Sequence, residues 1–166
     1  MKIRKLEPHE ISLHRDLRLC ALRDSPYSFA ETAADAEAKP YSYWEALTRS
    51  VTEPERHVMY LACDGEDIFG STYGIRDSEN NDMARVGGMW VAPLHRRNGI
   101  GRVLLESVLS WSREHGFRRL GLWRHPRTLQ RSRFMNTRVS GKPGVGAHCQ
   151  PMPQLKPLNW SCHPAT

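Results

Sequence analysis

The residues best placed to do chemistry in this 166-residue chain lie in "MWVAPLHRRNGIGRVLL", residues 89–105. The turn "NGIG" feeds an apolar run that begins at Ile100. A glycine-containing turn at a helix N-terminus aims several backbone N–H groups at one point, and the helix dipole adds partial positive charge there. That arrangement binds phosphate oxygens. Arg96, Arg97 and Arg102 place charge around the turn, Asn98 lies within it, and Gly99 and Gly101 let a ligand approach the main chain closely. Such a turn taken alone is more often only a turn. Here the strand-like run before it, the arginines within it and the apolar helix after it favour phosphate. Two other phosphate motifs are excluded, because both the Lys-Ser or Lys-Thr ending of a nucleotide P-loop and a full G-x-G-x-x-G are absent.

The elements that must carry this turn can be read from periodicity. "KIRKL" alternates and predicts a first strand. From Glu10 the pattern changes: Ile11, Leu13, Leu17, Cys20 and Ala21 recur at helical spacing until Pro26 breaks the run. "SYWEALTRS" predicts a second helix with Trp44 and Leu47 on one face. "HVMYLACD" and "IFGSTYGIRD", joined by "DGED", predict a hairpin, and "ARVGGMWVAP" a third strand. Its paired glycines, Gly87 and Gly88, predict a bulge or a close backbone approach, since glycine otherwise weakens a strand. Ile100, Leu104, Val108 and Trp111 then share a helical face up to the stop at Gly116, and "RRLGLW" predicts a further strand. The fold class is mixed α/β with a largely antiparallel beginning.

Length allows one domain. No apolar run is long enough to span a membrane and the N-terminus lacks the apolar stretch of a secretory signal, so the expectation is a soluble cytoplasmic protein with no membrane partner. The formal charge is +6, but its distribution argues against nucleic acid: residues 1–123 hold 17 Lys and Arg against 18 Asp and Glu, and residues 124–166 hold 7 basic groups and no acidic one. A basic-tailed nucleic-acid binder is therefore a distant alternative. Cys20 and Cys63 fall in apolar patterns and read as core residues. His148, Cys149, Cys162 and His163 lack the loop that separates paired zinc ligands, and no metal is expected.

The stretch "V-x-P-x-x-R-R-N-G-I-G-R-x-L-L" resembles the acetyl-coenzyme A signature of the GNAT N-acetyltransferases, with Arg96, Gly99 and Gly101 as its R-x-x-G-x-G core. The resemblance runs from residue 1 to 123, and "LRDSPYSFAET" is similar to the first-helix loop of a bacterial subgroup. It implies the GNAT-like fold around a central mixed sheet. It also implies acetyl-CoA as co-substrate and, as acceptor, the primary amine of a small molecule, a protein N-terminus or a lysine. The main chain of Met89, Trp90 and Val91 would bond the pantetheine arm and polarise the thioester, and amides from Arg97 through Asn98, Gly99, Ile100 and Gly101 to Arg102 would hold the pyrophosphate. A homodimer is among the assemblies open to it. Glu31, Glu79 and Asp82 are carboxylates near the predicted strands and helices, and none is assigned as the base. The alternative within the fold is a non-catalytic coenzyme-binding remnant.

Beyond Trp123 periodicity ends, and residues 124–166 form a basic, proline-rich tail where six of the eleven prolines fall. The family pattern continues there with a helix N-x-x-A-x-x-L-Y-E-x-x-G-F, whose tyrosine commonly protonates the departing thiolate. This chain has no tyrosine after Tyr73. Codons rebuilt from the third base of one residue and the first two of the next give Tyr or His at Phe134–Met135 and only Glu at Met135–Asn136. The neighbouring junctions permit the remaining motif residues in register. One base lost between about Leu120 and Arg127 in the encoding sequence would account for the tail. On this reading the C-terminal helix and hairpin are missing from the chain as written.

Overall fold

The computed structural model describes residues 1–122 and 137–138. The expectations for the zinc-like pairs, the out-of-frame helix and the boundary after residue 123 fall outside the described residues.

Strand β1 (Lys2–Lys5) leads into helix α1 (Ile11–Asp24), the short helix α2 (Ala33–Glu37) and helix α3 (Tyr41–Val51). Strands β2 (His57–Asp64), β3 (Asp67–Arg76) and β4 (Met83–Val91) follow, then helix α4 (Ile100–Glu114), β5 (Arg119–Leu122) and the two-residue β6 (Thr137–Arg138). Together the strands form one mixed sheet in the order β1-β2-β3-β4-β5-β6. The pairs from β1 to β4 are antiparallel, β4 and β5 are parallel, and β5 and β6 are antiparallel.

Glu10 sets the start of α1. Its carboxylate accepts from the Arg4 Nη1 and Nη2 nitrogens at 2.7 Å each and from the Glu7 amide at 2.9 Å, tying β1 to the helix. Those bonds hold the Glu10 carboxyl below its ordinary range, with the Arg4 hydrogen bond as the main cause. Between α1 and α3, the buried His14 ring shares a 2.9 Å hydrogen bond with the Thr48 hydroxyl, which itself donates to the Trp44 carbonyl at 2.7 Å. His14 Nδ1 is therefore the donor. Burial, helped by the nearby Arg18 charge, lowers the His14 pKa to about 4, so the imidazole is neutral in the fold.

Helix α4 packs its predicted face on the sheet: Ile100, Leu104, Val108 and Trp111 are buried. The contact is close because β3 offers glycine beneath it. A Cβ at Gly74 would meet Trp111 at 2.8 Å and Val108 at 2.9 Å. The helix ends where Gly116, at φ +75°, allows its own amide to reach Arg113 and the Phe117 amide to reach the Ser112 carbonyl, a Schellman stop.

Two short elements depart from the sequence expectation. Helix α2 is only five residues long, too short for a periodic signal, and is started by Thr32, whose hydroxyl accepts from the Asp35 amide at 3.1 Å. Strand β6 pairs Thr137 with Leu120 and Arg138 with Arg119 through main chain, which side-chain alternation does not announce.

Candidate active site

The predicted bulge is present in β4. Tyr73 pairs with Gly87 and Ser71 with Trp90, so Gly88 and Met89 together stand opposite Thr72 alone. The extra residue leaves the β3 ladder, and Gly88 takes φ +55°, a conformation suited to glycine. Thr72 donates its hydroxyl to the Gly87 carbonyl at 3.1 Å. The half-buried Tyr73 ring lies over the glycine pair: a Cβ at Gly88 would stand 2.1 Å from Tyr73 Cε1, and one at Gly87 would stand 2.6 Å from Cε2. On its other edge β4 pairs with β5 from Met83 to Val86. From Gly87 to Val91 that edge has no strand partner among the described residues.

The chain leaves β4 through a 3₁₀ turn at Pro93–His95 and reaches α4. His95 stacks on Phe69 of β3, with ring centroids 4.6 Å apart, which lays the turn on the sheet. Arg97 at φ 66° and Gly99 at φ 78° are both left-handed and flank the exposed Asn98. Gly99 caps α4 without a side-chain bond. Among the described residues, none of the amides from Arg97 to Gly101 has a hydrogen-bond acceptor. Two left-handed residues and a helix N-terminus thus present a run of unpaired donors.

The bulge and the helix start are neighbours. A Cβ at Gly101 would lie 3.8 Å from Met89 Sδ and 4.0 Å from Val91 Cγ2, while the Met89 side chain is 38% exposed. The ten residues singled out in the sequence therefore gather at one end of β4, but in different ways. Ile100 is buried as the anchor of α4. Arg97 and Arg102 are exposed, and among the described residues Arg102 pairs with Glu106, one turn along, at 2.9 Å.

The side chains of Trp90 and Arg96 both meet Asp24. The buried Trp90 indole donates from Nε1 to Asp24 Oδ2 at 2.9 Å, and Arg96 ion-pairs with the same carboxylate. Arg96 Nε also donates to the Val91 carbonyl at 2.9 Å. Burial alone would raise the Asp24 pKa, but the bonds from Trp90, Ser25 and Arg96 outweigh it and hold the carboxyl below its usual range. Sequence reasoning missed both Asp24 and Tyr73. The pair of glycines could have pointed to a large ring on the neighbouring strand.

Glu79 and Asp82 lie at the far end of β4. Asp82 is six residues before Gly88 in sequence, about 20 Å along a strand, and pairs with Arg119 at 3.2 Å. Glu31 sits between Arg18 at 3.5 Å and Lys39 at 4.0 Å.

A mixed sheet whose bulged fourth strand runs into a helix with N-terminal amides that lack an acceptor among the described residues defines the class as a mixed α/β domain. The sequence model of the Acetyltransferase (GNAT) family matches residues 17–136, and the chain belongs to that family. An aminoglycoside N(6')-acetyltransferase type 1 from Stenotrophomonas maltophilia is 34% identical over 83 residues, 46% of this chain and 54% of the relative. The match thus spans about half of the relative's length. Among solved structures, a GNAT-family acetyltransferase from Staphylococcus aureus Mu50 superposes with a TM-score of 0.58 at 16% identity, covering 76% of this chain and 75% of the other. A predicted acetyltransferase from Clostridium acetobutylicum, solved with acetyl-CoA, gives 0.56 at 16% identity, covering 75% of this chain and 81% of the other. Both share the fold. No described helix is long and apolar enough to cross a membrane.

Proposed function

We propose that this chain takes acetyl-CoA as co-substrate and transfers the acetyl group to a primary amine. The observation that carries this reading is the run of amides from Arg97 to Gly101, without an acceptor among the described residues, beside the β4 bulge. Free N–H groups at a helix N-terminus suit the two negative phosphates of the pyrophosphate, and the exposed Arg97 and Arg102 add charge. The adjacent unpaired edge of β4 suits the extended pantetheine arm, whose amides bond as a strand would. A main-chain N–H freed by the bulge then faces the thioester oxygen, where negative charge develops in the transition state.

The transfer is direct. A base removes a proton from the acceptor ammonium, the amine nitrogen attacks the thioester carbon, the C–S bond breaks, and an acid protonates the departing thiolate. The acceptor is an amine-bearing small molecule, a protein N-terminus or a lysine. An aminoglycoside fits the first class, and the Stenotrophomonas relative is named for one.

Thiol release from acetyl-CoA tests the reading when measured across a panel of primary amines that includes aminoglycosides. Amine-dependent release supports it. Binding of acetyl-CoA without release on any amine would favour the non-catalytic remnant, and absence of binding would remove both.

A further inference from the structure

We propose that Asp24, Trp90 and Arg96 form a clamp between the C-terminal ends of α1 and β4. On this assignment Arg96, the first residue of the R-x-x-G-x-G core, is a positioning residue and not a phosphate ligand. The part concerning phosphate rests on the coenzyme reading above; the clamp does not.

Three bonds converge on one carboxylate. Asp24 Oδ2 accepts from Trp90 Nε1 at 2.9 Å, from Ser25 Oγ at 2.8 Å and from Arg96 Nη2. Asp24 lies 66 residues from Trp90 and 72 from Arg96 in sequence, so the clamp joins distant segments. A buried indole N–H needs a partner, and Asp24 supplies it. The planar Arg96 fork is spent in two directions, with Nη2 on Asp24 and Nε on the Val91 carbonyl at 2.9 Å. Lysine has no such fork.

The electrostatics agree. The Arg96 charge is met by the Asp24 carboxylate and by the negative end of the α1 dipole. Arg97 has no carboxylate partner among the described residues, and the Arg102–Glu106 pair is a surface contact one helical turn apart, 83% and 55% exposed, that yields at little cost. Charge for phosphate therefore comes from Arg97 and Arg102. Arg96 fixes the path of the loop that presents them, and through Asp24 it ties that loop to the segment after α1.

Two measurements test this on the full chain. Thermal denaturation without coenzyme reads the clamp: Asp24→Asn, Arg96→Gln and Arg96→Lys each lower the melting temperature, and Asp24→Asn with Arg96→Gln melts no lower than the worse single variant. Losses that add, or an Arg96→Lys variant that melts like the parent, would overturn it. Calorimetric titration with CoA and with pantetheine reads the phosphate part. The Asp24→Asn variant and the Asp24→Asn, Arg96→Gln double variant show the same preference for CoA over pantetheine, because Arg96 acts on the loop only through the clamp, while Arg102→Gln lowers the parental preference about tenfold, the size of one charge-assisted hydrogen bond. A further tenfold loss on adding Arg96→Gln to Asp24→Asn would make Arg96 a phosphate ligand. If the parent shows no preference for CoA, the coenzyme reading fails and the melting cycle still decides the clamp.

Discussion

Gly88→Ala is the substitution whose cost can be worked most fully. Two penalties combine at this position. The left-handed backbone, at φ +55°, costs an alanine about 1–2 kcal/mol. The new methyl would also stand 2.1 Å from Tyr73 Cε1 and 2.6 Å from Cζ, so the ring must be displaced, an overpacking penalty of about 1–3 kcal/mol. The sum is about 2–5 kcal/mol, below the ~5–15 kcal/mol stability of an ordinary domain. The variant should remain folded in water and unfold at a lower urea midpoint. In a Tyr73→Ala background the steric part vanishes and only the backbone part, about 1–2 kcal/mol, remains. Gly87→Ala is the control: its methyl meets the same ring at 2.6 Å, but its φ is not left-handed, so its cost should disappear almost entirely in that background. A Gly88→Ala cost below about 0.5 kcal/mol, or an equal cost in both backgrounds, would refute the bulge geometry.

Three further outcomes follow from the same structure. The folded chain binds fewer protons at His14 than the unfolded chain between pH 6.5 and about 4, so stability should fall as pH falls through that window. The loss is about 3 kcal/mol, and His14→Gln should flatten that slope in urea unfolding measured from pH 7 to pH 4. Gly74→Ala should cost about 1–3 kcal/mol, because Trp111 and Val108 are both fully buried and neither can give way; a neutral result would mean that α4 sits farther from β3. Resequencing of the encoding DNA should show one base missing between the codons of about Leu120 and Arg127. A confirmed written frame, with the Tyr-Glu-x-x-Gly-Phe helix in neither other frame, would sink that explanation of the tail.

What could be read from the sequence depended on range. The strands and long helices follow from local period, and β2 matches "HVMYLACD" residue for residue because a turn signal bounds it. The bulge was legible because two adjacent glycines in a strand need a reason. The free amides before α4 were legible because the turn and the apolar helix after it are contiguous. The Asp24 clamp was not, since Asp24 looks like any exposed carboxylate at a helix end until folding brings Arg96 and Trp90 to it. For the same reason Tyr73 carried no signal of its own: only the strand register places its ring over Gly87 and Gly88. The Arg96 charge was legible, but its direction was not.

The coenzyme site at the start of α4 can be probed by amide hydrogen exchange with and without acetyl-CoA. Acetyl-CoA should slow exchange at the amides from Arg97 to Gly101, which have no acceptor among the described residues, and at Met89 in the bulge. Protection confined to other segments, or none at saturating acetyl-CoA, would contradict it.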